Sequence, residues 1–457
     1  MKVLNKFLLL ALGLMFVATS CQKDKEFATP SLESTTTAQI PGLNALDGNW
    51  ILTGQNSMWQ GNYFPTASIP DSITSFSMNG FGQASFSAYA VGGRSMAGYY
   101  WTLGNVGNLW GKRGIHRYSS TTNNLVSSSF KAIGSSLVNL LSQRDEINFH
   151  IYDSTIAYYT DVQHQSGKIT RFNPSSATMA DIDAWDLSSS LSTNPLLNTA
   201  GYNAATYKNL GGKLLIRRRN ILYADVTFGD SYNALKQIVQ STNSVYIAAI
   251  NAFTGRLITV SSFDDARNIG LFNDHPLVNE DPVSHHIYFA TVSNLDQQQT
   301  PSRILRIKSG SNSIDQNWSI NFRKTGEIIR NSEFNTLYAY NDFLYVKYPD
   351  RDAKYTNRGH GLGYREPIWQ WSVINPNGKM KDLNIPKDDF FAYQQPRLIN
   401  GSIYFIYNNT GNNTSGIHKC APVDISAWDS KIPIPTSIVT NYSSSSGILR
   451  ITGIDKL

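Results

Sequence analysis

The residue with the clearest chemical assignment is a cysteine close to the N-terminus. Residues 1–6 contain two lysines, Lys2 and Lys6, and residues 7–18 are almost entirely apolar. Thr19 and Ser20 stand immediately before Cys21. This order is typical of a secretory signal peptide, and the apolar run is shorter than the roughly 20 residues of a membrane-spanning helix. We therefore predict a signal peptide over residues 1–20 and a lipid on the thiol of Cys21.

The residues behind Cys21 bear on where the lipid holds the chain. The sequence Gln-Lys-Asp-Lys-Glu at 22–26 resembles the charged export tag of Bacteroidota surface lipoproteins. This resemblance implies an outer-membrane lipoprotein, with exposure at the cell surface favoured over the periplasmic face. Stable attachment needs more than one acyl chain, and the bacterial lipoproteins that this segment resembles carry three.

Cations and aromatic residues form the second group that could do chemistry. The predicted ligand-binding residues precede or connect β-strands of the sequence, and they are Arg144, Arg267, His275, Arg323, Arg330, Arg358, Arg365, Tyr393 and Arg397. Arginine makes charge-assisted hydrogen bonds and stacks on rings, so such a set would suit an anionic, aromatic ligand. Any one of them could be a solvated loop residue, and the prediction depends on their meeting on one face.

Catalytic and metal-binding patterns are lacking in the sequence. It contains no nucleophile elbow, Walker loop, HExxH or CxxC motif. His285 and His286 are adjacent, so in a strand they would point to opposite faces. Residues 264–268 lack the glycine and the terminal glutamate of a calcium loop. We predict neither an enzyme nor a metal site nor a cofactor.

The charge and cysteine content argue against nucleic-acid binding and against an internal disulfide. Without Lys2 and Lys6 the chain has 37 Lys and Arg against 33 Asp and Glu, which is too mild an excess to indicate nucleic-acid binding. Cys420 is the second of two cysteines, so we predict a buried apolar side chain and no internal disulfide.

The elements that would position these residues are short strands joined by tight turns. Asn400-Gly401, Asn341-Asp342 and Asp153-Ser154 each separate two strand-like runs, which is a strong hairpin signal, and Gly211-Gly212 and Ser284–His286 look like weaker copies. The second strands centre near the residues Tyr100, Tyr158, Leu215, Tyr246, Tyr288, Leu344, Tyr404 and Leu449.

Spacings of about 40–60 residues between such centres are typical of propeller blades. The sequence therefore predicts an all-β fold, a seven- or eight-bladed β-propeller over residues 46–457, behind the signal peptide and a flexible tether over residues 21–45. Residues 447–454 would complete the first blade and close the ring. Two β-sandwich domains are the alternative. Residues 128–141 and 234–239 are the best helix candidates.

Several segments resemble a family of propeller lipoproteins of Bacteroidota that are encoded beside TonB-dependent siderophore receptors. The resembling segments are residues 54–55, 63–67, 98–101, 115–118, 303–311, 314–315 and 448–451. The resemblance implies a surface module that captures a ferric siderophore and hands it to a TonB-dependent receptor. A ferric tris-catecholate is trianionic and aromatic, so it would suit the predicted set of cations and aromatic residues.

Three other functions stay open at this point. A glycan-binding surface lipoprotein is the main alternative, in which exposed Trp59, Trp369 and Trp371 would stack on sugars. A propeller enzyme would need carboxylates or histidines in the channel. A structural or protein–protein interaction role would need neither.

Overall fold

The computed structural model describes the larger part of the chain from residue 50 onward. The described residues are 50–56, 60–66, 76–77, 84–88, 94–105, 113–121, 124–133, 148–160, 167–232, 238–267, 269, 277–291, 302–321, 336–349, 369–388, 395–409, 414–424, 426, 428, 435–439, 442–443 and 448–456. They belong to one compact unit, Leu46–Leu457. The predicted signal peptide, Cys21 and the tether lie outside the described residues.

Short strands make up most of the described chain. The first sixteen are β1 Trp50–Asn56, β2 Gln60–Thr66, β3 Phe76–Ser77, β4 Ala84–Ala88, β5 Arg94–Met96, β6 Tyr99–Asn105, β7 Arg113–Thr121, β8 Asn124–Ala132, β9 Phe149–Ile151, β10 Ala157–Thr160, β11 Lys168–Phe172, β12 Asp181–Asp186, β13 Tyr207–Arg218, β14 Ile221–Gly229, β15 Ser231–Tyr232 and β16 Ile238–Val239.

The second half of the chain continues the pattern. Its strands are β17 Ser244–Asn251, β18 Leu257–Asp264, β19 Val278–Glu280, β20 Ile287–Thr291, β21 Arg303–Ile307, β22 Ser319–Asn321, β23 Thr336–Tyr340, β24 Phe343–Pro349, β25 Trp369–Ile374, β26 Met380–Asp382, β27 Arg397–Ile399, β28 Ser402–Asn409, β29 Thr414–Cys420, β30 Thr436–Val439, β31 Tyr442–Ser443 and β32 Ile448–Lys456. Two five-residue helices, Ser188–Ser192 and Pro195–Thr199, follow β12.

These strands pair into seven four-stranded antiparallel sheets within the described part of the chain. In chain order, sheet 1 is β32-β1-β2-β4, sheet 2 is β5 to β8, sheet 3 is β9 to β12, sheet 4 is β13-β14-β17-β18, sheet 5 is β19 to β22, sheet 6 is β23 to β26 and sheet 7 is β27 to β30. The prediction of an all-β propeller architecture is confirmed. First strands of successive sheets contact one another, as β19 contacts β23 and β27 contacts β32, so they form the inner wall.

The C-terminal strand completes the first sheet. β32 pairs with β1 antiparallel from Trp50 opposite Lys456 to Asn56 opposite Ile448. Sheet 1 is therefore built from both ends of the described chain, which confirms the predicted role of residues 447–454 in closing the ring.

The hydrophobic core lies between neighbouring sheets. Ile287 and Phe289 of β20 pack with side chains of sheet 4, whereas Tyr288 and Ala290 of the same strand pack with side chains of sheet 6. Both faces of such a strand are buried, since successive side chains point in opposite directions. This explains why the apolar runs of the sequence are nearly continuous.

The tight turns agree with the sequence only in part. Asn341 and Asp342 have positive φ values, as have Asn400 and Gly401, so both predicted two-residue turns are confirmed. Ile151 pairs with Ala157, so the turn at Asp153 has five residues and not two. The predicted turn at 284–286 lies between β19 and β20, as expected.

Three further sequence predictions of secondary structure are wrong. One is the helix candidate at residues 234–239, of which Ile238 and Val239 form β16 and pair with β15. Gly211 and Gly212 lie inside β13, and the hairpin of sheet 4 turns at Arg219 and Asn220 instead. Residues 128–132 belong to β8, although their apolar spacing indicated a helix, because their backbone pairs with β7. The two short helices after β12 were not predicted. Leu191 and Leu197 bury them against sheets 3 and 4.

Candidate ligand-binding site

The connections that carry the predicted ligand-binding residues attach to one end of the sheets. Residues 134–147, 270–276, 322–335 and 389–394 lead into the first strands of sheets 3, 5, 6 and 7, and residues 350–368 join the second strand of sheet 6 to the third. In an antiparallel sheet the start of the first strand, the end of the second and the start of the third lie at the same end. We call this end the mouth.

Most of the predicted contact residues are in those connections themselves. Arg144, His275, Arg323, Arg330, Arg358, Arg365 and Tyr393 lie outside the described residues, as does Cys21. Arg267 and Arg397 are described. Arg267 lies at the mouth, whereas Arg397 pairs with Tyr404, close to the turn at Asn400 and Gly401 at the opposite end of sheet 7.

Arg397 begins the first strand of sheet 7 and contacts a buried carboxylate. Its Nε lies 3.6 Å from Oδ2 of Asp455 on β32, and its Nη1 lies 3.5 Å from Oε1 of Gln395. The same Oδ2 accepts a hydrogen bond of 2.7 Å from the backbone N–H of Ser95 on β5. Arg397 and Asp455 thus connect sheets 7, 1 and 2 at the place where the ring closes.

Arg267 lies between the last strand of sheet 4 and the first strand of sheet 5. Its Nε donates to the carbonyl oxygen of Thr242 at 3.0 Å, in the connection before β17. Partial burial lowers the pKa of its guanidinium from the ordinary value.

Gln395 is a residue of the inner wall that the sequence did not indicate. Its Nε2 donates to the carbonyl oxygens of Leu337 at 2.8 Å and Val278 at 3.0 Å, on the first strands of sheets 6 and 5. The side chain is buried. A glutamine just before a strand has no distinguishing sequence signal, and only the fold brings these carbonyl groups together.

The inner edge of β23 is capped by side chains of sheet 5. Oδ1 of Asn279 accepts from the N–H of Ala339 at 2.9 Å. The carboxylate of Asp281 accepts from Asn341 at 3.0 Å and from Asp342 at 2.6 Å. Unpaired strand edges need such partners, and the polar residues at alternate positions 279 and 281 were a signal that the sequence analysis missed.

A fully buried ion pair lies at the mouth end between sheets 6 and 7. Nζ of Lys347 is 2.7 Å from Oδ2 of Asp388, and both side chains have no exposed surface. The backbone of Asp388 exchanges two hydrogen bonds with Trp369, and its Oδ1 accepts from the N–H of Asn408 at 2.8 Å. Asp388 therefore fixes the point at which the chain leaves sheet 6 for residues 389–394.

The remaining candidates for chemistry have structural roles. Within the described ranges, no group of three or more His, Cys, Asp or Glu side chains could hold a metal ion. Nδ1 of His285 contacts Glu280 at 3.2 Å, whereas Nδ1 of His286 contacts the carbonyl oxygen of Ser284, so the two histidines serve different partners. Cys420 is buried, which raises the pKa of its thiol to about 12.

Two of the tryptophans expected to stack on sugars belong to the core. Trp369 and Trp371 have 0% and 1% of their surface exposed, and Nε1 of Trp371 donates to the carbonyl oxygen of Ile406. The expectation that they are exposed is wrong, because both faces of β25 are covered by neighbouring sheets. Trp59 lies outside the described residues.

Comparison with known proteins gives similarity in structure alone. No protein-family model matches the chain, and no curated protein matches it significantly. Among solved structures, a protein from Bacteroides fragilis, named provisionally as a 6-phosphogluconolactonase, is 8% identical with a TM-score of 0.46; the match covers 91% of this chain and 100% of that one.

Two further solved structures are similar to the same extent. A protein from Lactobacillus plantarum is 10% identical with a TM-score of 0.45, over 90% of this chain and 99% of that one. A Bacteroides uniformis protein with the same provisional name as the first is 9% identical with a TM-score of 0.45, over 89% and 99%. Similarity at this level carries no argument about function.

The described helices are also relevant to the membrane. None of them is both long and apolar enough to span a bilayer.

Proposed function

We propose that the protein is an outer-membrane lipoprotein, anchored through Cys21, whose propeller binds a ferric siderophore or a similar anionic, aromatic iron chelate at the mouth. It hands the chelate to a TonB-dependent receptor. The observation that carries this proposal is topological: the five connections with the predicted cations and aromatic residues all attach to one end of the sheets, around the inner wall.

We infer that each four-stranded sheet is one blade, which makes seven blades. The eight strand centres of the sequence reduce to seven sheets because Leu215 and Tyr246 both belong to sheet 4, as its first and third strands. A closed ring of seven blades surrounds a central channel, which suits capture of a bulky chelate.

The five connections at the mouth are balanced in charge. Together they contain eight Lys and Arg and nine Asp and Glu. Binding of a trianion would then depend on the placement of individual guanidinium groups, since no net positive field draws it in. We expect the affinity to depend only weakly on salt, unlike that of a protein with a uniformly basic face.

Binding is favoured over catalysis because the buried carboxylates described near the inner wall are committed to structure. Asp281 and Asp455 accept hydrogen bonds from backbone N–H groups, and Asp388 pairs with Lys347. A catalytic acid or base must reach the proton that it transfers. Carboxylates held in this way support the wall of a binding site.

The test is quenching of tryptophan fluorescence in the full-length protein in detergent, titrated with ferric tris-catecholate. We expect a Kd in the micromolar range or below, with iron-free catechol and ferric citrate as ligand controls. Arg358→Ala or Arg365→Ala should weaken binding at least fivefold, because each removes charge-assisted donors.

Arg256→Ala is the matched control variant. Arg256 is exposed in the turn between β17 and β18, at the end of sheet 4 opposite the mouth, so its loss should leave the Kd unchanged. Absence of quenching across a panel of catecholate, hydroxamate and carboxylate iron chelates would contradict the proposal.

A further inference from the structure

The first strand of sheet 4 contains an unusual interruption. Leu210 pairs with Val226 and Leu215 pairs with Ala224, so residues 211–214 of β13 lie opposite Asp225 alone. An ordinary β-bulge places two residues opposite one. Here four residues stand opposite one, in a strand of the inner wall.

Side chains hold this four-residue bulge in one shape. The N–H of Gly212 donates to Oδ1 of Asn209 at 2.9 Å. The N–H groups of Lys213 and Leu214 both donate to Oδ1 of Asp225, at 2.8 and 2.7 Å. Three N–H groups that have left the ladder thus keep partners.

The two glycines are required by the same geometry. Gly211 has a φ of +75°, which favours glycine. A Cβ on Gly212 would lie 2.3 Å from Oδ1 of Asn209 and would break the bond that closes the turn.

The bulge comes at an energetic cost. Asp225 has 2% of its surface exposed, and burial raises the pKa of its carboxyl, against the opposing effect of the hydrogen bonds from Leu214 and Lys213. Burying a carboxylate is unfavourable. A regular strand would need neither this carboxylate nor the glycines, so the bulge has a purpose other than stability.

The neighbours of the bulge bear on where the side chain of Lys213 can point. A Cβ on Gly211 would meet Thr160 of sheet 3, and Leu214 packs with Ile287 and Phe289 of sheet 5. β14 lies on the outer side of the strand. Lys213 is half-buried between these neighbours, and the inner edge of β13 faces the channel.

We propose that the bulge presents the ammonium group of Lys213 to the central channel, where it binds an anionic oxygen of the ligand below the mouth. This inference rests on the proposed function, and it assigns the deepest contact of the chelate. An ammonium group has three N–H donors, so it can bind an anion and keep a protein partner.

The experiment follows acetylation of individual lysines in the full-length protein by mass spectrometry, with and without saturating ferric tris-catecholate. Lys308 is the internal control, because its side chain is 50% exposed and lies beyond β21, away from the inner wall. We expect the chelate to slow acetylation of Lys213 at least fivefold and to leave the rate at Lys308 unchanged.

Variants give an independent measurement. Lys213→Gln should raise the Kd from fluorescence quenching at least tenfold, Lys213→Arg should recover part of the affinity, and Lys308→Gln should have no effect. Lys213→Gln removes a charge that lowers the pKa of Asp225, and Lys308→Gln removes an ion pair with Asp315, so both should lower the thermal midpoint slightly; circular dichroism should show that all three variants stay folded.

The two proposals fail in distinguishable ways. Wild-type quenching with an unchanged acetylation rate at Lys213 would overturn the inference and leave the proposed function standing. If no chelate quenches the wild-type protein, the proposed function fails. Inorganic phosphate and citrate then decide the inference: slower acetylation of Lys213 supports a channel anion site, and unchanged acetylation with both overturns it.

Discussion

At the scale of the residue, charged side chains that could bind a ligand mostly make hydrogen bonds between neighbouring sheets. Nη1 of Arg217 donates to Tyr158 in sheet 3, whereas Nη1 of Arg218 donates to carbonyl oxygens of His285 and Ile307 in sheet 5. Successive side chains of a strand point to opposite faces, so these two neighbours reach different sheets. The partners themselves depend on the neighbouring sheets.

His418 provides a prediction at this scale. It lies on β29, is 6% exposed, and packs its ring edge-on against Tyr407. Burial lowers the pKa of its imidazole from 6.5 to about 4. The unfolded chain therefore binds the proton more tightly than the folded protein between these two values.

Stability should consequently fall as the pH drops from about 6.5 to about 4, by up to about 3 kcal/mol from this residue. His418→Phe should remove that part of the pH dependence. Urea unfolding at pH 7, 5.5 and 4.5 measures it. Equal pH slopes for the wild type and the variant would contradict the prediction.

The contribution of Asp225 to stability should change with pH in the opposite direction to that of His418. Burial raises the pKa of its carboxyl above 3.8, so the stability contributed by the protonated form is present below pH 3.8 and is lost as the pH rises through the folded value. Asn can accept the same N–H groups and carries no charge.

Asp225→Asn should therefore gain in stability relative to the wild type as the pH rises from 3.5 to 7. Thermal midpoints of both proteins across this range measure the difference. A gap that stays constant or narrows with rising pH would show that desolvation of the carboxylate is unimportant.

At the scale of the element, the sequence predicted two of the tight turns, but it did not predict which side chains cap the strand edges. The positive φ values of Asn341, Asp342, Asn400 and Gly401 follow from residue types that tolerate this conformation. The caps on the inner edge of β23 come from Asn279 and Asp281, which lie about sixty residues away in the chain. The polar residues at alternate positions 279 and 281 are a signal of such caps, but a single sequence does not show which strand they reach.

Asp281 should be the most costly of these caps to remove. Besides Asn341 and Asp342, it accepts from the N–H of Val283 at 2.8 Å, and it is fully buried. Asp281→Ala would leave several buried donors without a partner, at a cost of about 3 kcal/mol or more in unfolding free energy.

Asp424→Ala is the matched control, because Asp424 caps Ser426 at an exposed position and its loss should change little. Chemical denaturation of both variants gives the comparison. Similar small losses in the two would show that the edge of β23 does not depend on its caps.

At the scale of the whole molecule, the ring depends on its last strand. β32 gives sheet 1 its first strand, and Asp455 on it holds Ser95 of sheet 2 and contacts Arg397 of sheet 7. Removal of this strand would expose the inner edge of β1 and break the contacts at both neighbouring sheets.

Deletion of residues 448–457 should abolish the cooperative unfolding transition and promote aggregation, because an open edge strand pairs with other chains. A synthetic peptide of residues 446–457 added during refolding should restore the transition by taking the place of β32. An unfolding midpoint unchanged by the deletion would show that closure does not stabilise the ring.

From the residue types and their order alone we could predict the strand-rich composition, the repeat length, the closing role of residues 447–454 and the two tightest turns. Each of these depends on residue type or on neighbours in the chain. Periodicity misled at residues 128–132, where apolar spacing indicated a helix and pairing with β7 made a strand. Helix propensity contributes little free energy compared with the backbone hydrogen bonds to a partner strand.

Which polar residues contact one another near the inner wall could be learned only from the folded structure. Gln395 donates to carbonyl groups of two other sheets, and Asp388 forms a buried ion pair with Lys347. Asp225 holds a bulge at a place where the sequence predicted a hairpin turn. Gln395 lies 58 and 117 residues from its partners Leu337 and Val278, about one and two blade repeats, yet the repeat length alone does not show which polar residue reaches across. Such contacts form because closing the ring brings the first strands of separate sheets side by side, and the buried edges of those strands must then find hydrogen-bond partners.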